Sequence, residues 1–362
     1  MFHSRAFRLL FLLLVVWPQA AAAQPTEVRF AWDASTAPGV AGYVIHYGTA
    51  PGVHPNSVTV GLRTEYPLRD LKTGTTYYFV VRAYDGAGRV GPPSTEIVHT
   101  TATQLTVPSA AKTELIWRHS ETGDIARWQM EGLQQSTGSL LGSSPVHTDW
   151  KIVGAGDFNG DRQRDLVWQH STGWLSVWLM NGVTLLRGLD LQPNRVPDTN
   201  WRVAAVADMD NDGKPDLVWQ HHGNGDAAVW LMNGTSRRDG RLLSPNRVSD
   251  LNWKIVGAGD FNGDKWNDLL WRHKTTGQLA VWHMSGERQL SGQPLVPAVV
   301  EELEWNVASV ADVNGDSRAD IIWQHADGRL GAWVMDSLKM AWVTTFTPAM
   351  VSDRRWQIVA AR

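Results

Sequence analysis

The stretch Asp260-Phe261-Asn262-Gly263-Asp264-Lys265-Trp266-Asn267-Asp268 runs straight into Leu269-Leu270-Trp271, and it recurs. Acidic or amide side chains stand at loop positions 1, 3, 5 and 9, with an apolar run of strand character behind them. The same spacing gives Asp157, Asn159, Asp161 and Asp165, then Asp208, Asp210, Asp212 and Asp216, and later Asp312, Asn314, Asp316 and Asp320. Asp and Asn favour turns on backbone grounds alone, so one such stretch would mean little. Four in one register, roughly 51 to 52 residues apart, define a repeat in which each unit is one supersecondary module.

Three tryptophan families share this period. Trp150, Trp201, Trp253, Trp305 and Trp356 each open a short apolar strand. Trp117, Trp168, Trp219, Trp271 and Trp323 are each followed by Arg or Gln and then His, and Trp128, Trp178, Trp230, Trp282 and Trp333 each stand two residues before Met. A unit therefore reads as an opening strand, the acidic loop, a second strand, a Gly-containing hairpin, a third strand and a less regular fourth. Five units of four strands over residues 113–362 predict a five-bladed β-propeller. The first unit, from Glu114, lacks an opening strand, and the chain ends on one, Trp356 to Ala361. If that last strand pairs into the first unit, the ring closes and its sheet edges are protected. An open solenoid would leave the complementary ends without a reason. Closure also accounts for four acidic loops in five units, since the chain is cut at the fifth and only Glu114 stands at its ninth position.

Side-chain oxygens at positions 1, 3, 5 and 9 of a tight turn converge on a hard cation such as calcium, and position 7 adds a backbone carbonyl. The expected ligands are Asp157, Asn159, Asp161, Gln163 and Asp165; Asp208, Asp210, Asp212, Lys214 and Asp216; Asp260, Asn262, Asp264, Trp266 and Asp268; and Asp312, Asn314, Asp316, Arg318 and Asp320. Up to four Ca2+ follow, the all-Asp loop at Asp208 being the strongest case. Extracellular modules of this kind bind at about 10⁻⁴ to 10⁻³ M, which suits a structural clamp. The plain alternative is a set of Asx-type turns without metal.

The first third of the chain is different. Arg5 and Arg8, an apolar run from Leu9 to Trp17, and Ala21-Ala22-Ala23 form the pattern of a secretory signal peptide over residues 1–23. Residues 24–102 alternate short β-runs with turns, and they hold all six tyrosines of the chain. This argues a β-sandwich. Residues 103–112 read as a linker rich in Ala, Ser, Thr and Pro.

Leu71-Lys72-Thr73-Gly74-Thr75-Thr76-Tyr77, with Phe79, Val81 and Ala83 alternating behind it, resembles a fibronectin type III domain. The resemblance implies that Tyr77 is the corner tyrosine and Trp32 the core tryptophan. No Arg-Gly-Asp triplet is present, so integrin-type recognition is not implied. Residues 113–362 resemble the FG-GAP/VCBS repeat proteins, which implies a β-propeller carrying calcium between the first two strands of each blade. That family usually has glycine at loop position 6. Only Gly213 matches, while Arg162, Lys265 and Ser317 stand there in the other loops, with Gly160, Gly263 and Gly315 two positions earlier. If position 6 is left-handed, a non-glycine residue costs on the order of 1 kcal/mol.

A net charge of −3 without long runs of one sign gives no support to nucleic acid or anionic membranes as partners. Absence of cysteine excludes disulfides, thiol nucleophiles and thiolate zinc sites. Beyond the leader, no stretch is apolar enough to cross a membrane as a helix. Trp174, Trp266 and Trp342 fall outside the three families, and are candidates for stacking on a ligand. The repeated His119, His170, His221, His273 and His325 read as hydrogen-bonded groups at strand ends. Nucleophile-elbow, metalloprotease and phosphate-loop motifs are missing, and the repeat accounts for every Asp cluster. The reading is a monomeric, non-catalytic calcium-binding protein that is secreted, periplasmic or on the cell surface, and that meets a surface protein or a glycan in adhesion or recognition. A lectin with sugars held between blades and a glycan-active secreted enzyme are the alternatives.

Overall fold

The computed structural model describes residues 26–35, 37–72, 75–101, 113–142 and 145–361. The expected leader (1–23) and linker (103–112) lie outside the described residues. Among the described residues there are 26 strands and no helix, and the chain divides into two compact units after Thr106.

In the N-terminal unit, Thr26–Ala31 pairs with Glu65–Leu71, and a second sheet runs Asn56–Gly61, Val40–Gly48, Thr76–Asp85, Ile97–Thr100. Period-2 alternation puts Tyr43, Ile45, Phe79 and Val81 on the inner face, where they meet Phe30 and Trp32 from the other sheet. The Tyr77 hydroxyl accepts the Lys72 N–H at 3.0 Å, and buried Trp32 lies edge-on to Tyr43 at 5.6 Å. These are the corner-tyrosine and core-tryptophan roles.

The C-terminal unit is a propeller-like ring of twenty strands in a single cyclic order. Unit two is made of Trp150–Gly156, Asp165–His170, Trp174–Asn181 and Thr184–Arg195. Unit three is Trp201–Ala207, Asp216–His221, Asp226–Asn233 and Ser236–Arg247; unit four is Trp253–Gly259, Asp268–His273, Gln278–Ser285 and Arg288–Val299. Unit five is Trp305–Ala311, Asp320–His325, Arg329–Asp336 and Lys339–Met350. Within each, consecutive strands pair antiparallel. Unit one takes its opening strand from the far end of the chain: Trp356–Ala361 pairs with Glu114–His119, with Trp356 opposite His119 and Ala361 opposite Leu115. Ile125–Glu131 and Gln134–Leu140 complete it.

Second strands are covered on both faces, and Asp268–His273 is buried throughout. That explains their unbroken apolar runs, because strict alternation belongs to sheets with one wet face. Fourth strands lie outermost and are largely exposed, hence their irregular sequences. The opening strands neighbour one another around the axis, and Trp150–Gly156 meets Trp356–Ala361, so the cycle is complete. Their close approach needs small residues. A Cβ on Gly154 or Gly257 would stand 2.4 Å from a methyl of Val206 or Val310.

Two sets of hydrogen bonds join neighbouring units. The Gln or Arg before each repeated His reaches the opening strand of the next unit. Gln169 Nε2 donates to the Trp201 carbonyl at 3.0 Å, and its Oε1 accepts the Val203 N–H at 3.1 Å. Gln220 does the same to Trp253 and Ile255, and Gln324 to Trp356 and Ile358. Arg272 donates to the Trp305 carbonyl, and Arg118 to the carbonyls of Val146 (2.6 Å) and Trp150 (3.4 Å). The five joints run once round the ring. Farther out, the residue before each of four cis prolines donates its N–H to a hairpin carbonyl of the next unit: Gln192 to Thr235, Ser244 to Glu287, Val296 to Leu338 and Thr347 to Leu133.

Candidate cation loops

Every acidic loop joins the first and second strands of its unit, so the ring places all four at the same end. A hydrophobic residue at position 2 pins each loop to the core: Phe158, Met209, Phe261 and Val313 are buried. Position 9 is the anchor. Asp165, Asp216, Asp268 and Asp320 have no solvent exposure, and each carboxylate accepts two backbone N–H groups. One oxygen of Asp320 takes the Val313 N–H at 2.9 Å and the other the Met335 N–H at 2.8 Å. Asp165, Asp216 and Asp268 clamp loop and third strand in the same way. Burial pushes these acids up, Asp320 to about 7 and Asp216 and Asp268 to about 6, against the opposing pull of the amides.

Position 1 holds the turn from inside. Asp157 accepts the N–H groups of Gly160 (2.7 Å) and Arg162 (2.7 Å), and Asp208, Asp260 and Asp312 each accept the N–H at position 6 at 2.7–2.8 Å. Positions 4 and 6 are both left-handed in all four loops. Gly160, Gly263 and Gly315 take φ of 79–81° at position 4, where the second loop has Asn211 at 58°. At position 6, Arg162, Lys265 and Ser317 adopt φ of 65–74°, and Gly213 is at 83°. Each loop thus has one glycine for two left-handed positions, and moving the glycine exchanges which position bears the strain.

Side chains at positions 3 and 5 complete the set. Asn159, Asn262 and Asn314 donate from Nδ2 to Asp161, Asp264 and Asp316 at 2.9 Å. The all-Asp loop differs. Ligand oxygens of Asp208, Asp210 and Asp216 lie within 4.8 Å of one another, and Asp210 Oδ1 is buried with no hydrogen-bond partner. Such an orphan acceptor beside two further carboxylates is the donor chemistry that a hard cation satisfies, so this loop fits calcium best. An internal cation stands beside it: the Arg238 guanidinium, from the fourth strand, bonds Asp210 and comes within 3.7 Å of Asp212.

Position 7 offers only backbone. Gln163, Lys214, Trp266 and Arg318 donate their N–H to the position-5 carboxylate, while the Lys214 and Arg318 side chains turn away to Asn233 and Asp336. In unit one Glu114 pairs with Arg127 at 2.9 Å, and the Thr113 carbonyl accepts the Met130 N–H that elsewhere goes to the position-9 Asp. A cavity of about 660 Å³ runs along the ring axis, with Asp157, Asp208, Asp260 and Asp312 among its lining.

The three off-register tryptophans have separate fates. Trp174 is exposed but covered by the Arg195 guanidinium at 5.3 Å, Trp342 packs half-buried on the core between units five and one, and Trp266 is half-buried in its loop. They do not converge. The repeated histidines are structural. His221 Nδ1 accepts the Asn224 N–H at 3.0 Å, leaving the proton on Nε2, which faces Asp198 at 2.9 Å. His273 meets Asp250, His325 meets Glu302 and His119 meets Asp353 likewise. Each of these rings also lies against a tryptophan of the opening strand.

A fibronectin type III domain model matches residues 17–100, and an FG-GAP-like repeat model matches 157–219, 208–271 and 260–323. Among curated proteins the chain is similar to Contactin-3 of mouse (31% identity over 104 residues) and of human (30% over 104 residues), which covers 28% of this chain and 10% of each relative. The chain thus spans about a tenth of those relatives' length. Among solved structures it is similar to a periplasmic gluconolactonase of Pseudomonas aeruginosa, at TM-score 0.34 and 14% identity over 83% of this chain and 82% of the other. It is also similar to a glucose dehydrogenase, at TM-score 0.33 and 10% identity over 70% and 91%. At that level of likeness neither enzyme's chemistry transfers to this chain.

Proposed function

Since the chain carries a fibronectin type III domain followed by FG-GAP-like repeats, we propose that it is an extracellular recognition or adhesion protein whose ring is braced by calcium. The observation that carries the cation is the orphan Asp210 Oδ1 beside Asp208 and Asp216. Asp208, Asp210, Asp212 and Asp216 would hold the ion, with the Lys214 carbonyl at position 7. The ion supplies charge compensation to carboxylates that burial otherwise pushes toward their protonated forms. It braces the loop from which the second strand starts, and performs no chemistry. Protein-facing recognition is supported by the domain pair, which is typical of extracellular and cell-surface proteins. Among the described residues no helix is long and apolar enough to cross a membrane.

Calcium titration of the chelated protein by calorimetry tests this. Arg238 competes with the ion for Asp210, and a part-exposed ion pair is worth about 0.2–1 kcal/mol. Arg238→Gln is therefore expected to tighten calcium by at most about fivefold, and Asp210→Asn to weaken it. No calcium uptake by the wild-type chain, or indifference to both substitutions, would count against the reading.

A further inference from the structure

A second cavity, of about 450 Å³, opens on unit four. Its size lies in the range of small-molecule sites, about 300–1,000 Å³. Two half-buried indoles, Trp253 and Trp282, form its walls, buried Trp271 lies behind them, and Gln278, Gln289 and Gln293 bring three primary amides to it. Among the described residues no charged side chain lines it.

The strand register shows which side chains leave the indoles of unit four uncovered. In unit three the residue opposite Met232 is Arg237, whose guanidinium covers Trp230 at 4.8 Å, and the residue opposite Asp226 is Arg247, which pairs with it at 2.6 Å. In unit two Arg195 covers Trp174, and in unit five Arg329 covers Trp305 at 5.0 Å. The corresponding positions of unit four hold Gln289 opposite Met284, and Gln278 opposite Val299. No arginine is there to lie on the rings. Gly292, opposite Trp282, keeps the floor low: a Cβ there would stand 2.5 Å from Gln289 Nε2 and 3.2 Å from Trp282 Cδ1.

The lining also defines its ligand. Amides of Gln289 and Gln293 make no hydrogen bond to the protein among the described residues, and each can donate and accept, as a row of hydroxyls requires. The Trp271 indole N–H is buried and unpaired. It is unpaired in the other four units too, where Trp117, Trp168, Trp219 and Trp323 stand; in unit four the indole lines the cavity. A neutral lining gives no counter-charge for a phosphate or carboxylate, and flat indoles suit a ligand with an apolar face.

We propose that this pocket binds a neutral saccharide, one pyranose face lying on Trp282 or Trp253 and its hydroxyls on Gln278, Gln289 and Gln293. The inference rests on the recognition reading only in taking the protein to meet extracellular ligands. The test is a microarray of neutral, sialylated and sulfated oligosaccharides, followed by calorimetry with the neutral glycan of strongest signal, all in calcium-replete buffer with the full chain. One neutral glycan bound per chain is expected. Gln289→Arg, which copies Arg237 of unit three, is expected to weaken it at least tenfold at an unchanged melting temperature, and Gln293→Ala to weaken it less. Failure of every neutral glycan to bind, preference for charged glycans, or undiminished binding by Gln289→Arg would overturn the assignment. Calcium uptake is measured separately, so loss of the sugar site and loss of the cation reading are distinguishable.

Discussion

Asp320 condenses the residue-scale argument. Its carboxylate is sealed from solvent, holds the Val313 and Met335 amides, and burial pushes it up to about 7. The folded state therefore keeps a proton that an unfolded carboxylate, with its ordinary value of 3.8, has already released. Stability from this group is full below that ordinary value and is lost as pH rises through about 7. In chelator, the melting temperature should fall between pH 5 and pH 8. Asp320→Asn flattens that slope. At pH 5 it leaves one amide without an acceptor and costs about 1–3 kcal/mol, a deficit that shrinks by pH 8. A steeper slope in the Asn variant would contradict this. Of the loop chemistry, the spacing of Asp208, Asp210 and Asp216 was legible in the sequence, because a turn converges positions 1, 3 and 9 whatever surrounds it. The left-handed backbone at Arg162, Lys265 and Ser317 was legible as a conditional cost, and the structure meets the condition. Arg238 was not legible. It reaches Asp210 from the fourth strand, 28 residues on, where nothing in the loop sequence points.

Strands and their joints carry the next scale. Strand order followed from tryptophan periodicity, because second strands buried on both faces must be apolar throughout. What alternation could not supply was the partner of the Gln or Arg before each histidine. Period 2 turns Gln220 away from Trp219, but only the ring brings it to Trp253 and Ile255 of the next unit. Gln220→Leu keeps the volume and leaves a buried N–H and a carbonyl unpaired, which costs about 1–3 kcal/mol in denaturant unfolding. An exposed glutamine such as Gln293 mutated to Leu should cost within about 0.5 kcal/mol. Equal losses would show that the joint adds nothing. The carbohydrate pocket was hidden for a related reason. Trp282 shares its register with four other tryptophans, and what lies over it depends on the adjacent strand, where Gln289 stands opposite Met284 as Arg237 stands opposite Met232 in unit three.

For the whole molecule, every unit leans on its neighbours through opening strands at the axis, glutamine or arginine joints, and the outer bonds beside proline. Such an array gains from closure because no unit then presents an open edge. The complementary ends made closure legible from the sequence, since Glu114 begins where a first strand is missing and Trp356 supplies one. Closure places the last strand under load from two sides. Trp356–Ala361 pairs with Glu114–His119 and neighbours Trp150–Gly156, and Gln324 grips it from unit five. The direct test is thermal unfolding of the chain lacking residues 352–362, followed by tryptophan fluorescence, which reports on the ring because 18 of the 20 tryptophans fall within residues 113–362 and only Trp32 in the sandwich. The account predicts loss of the cooperative ring transition, with the sandwich's own melting, followed through its six tyrosines, preserved. An unchanged ring transition in the truncated chain would contradict closure, and with it the arrangement of loops and pocket around a common axis.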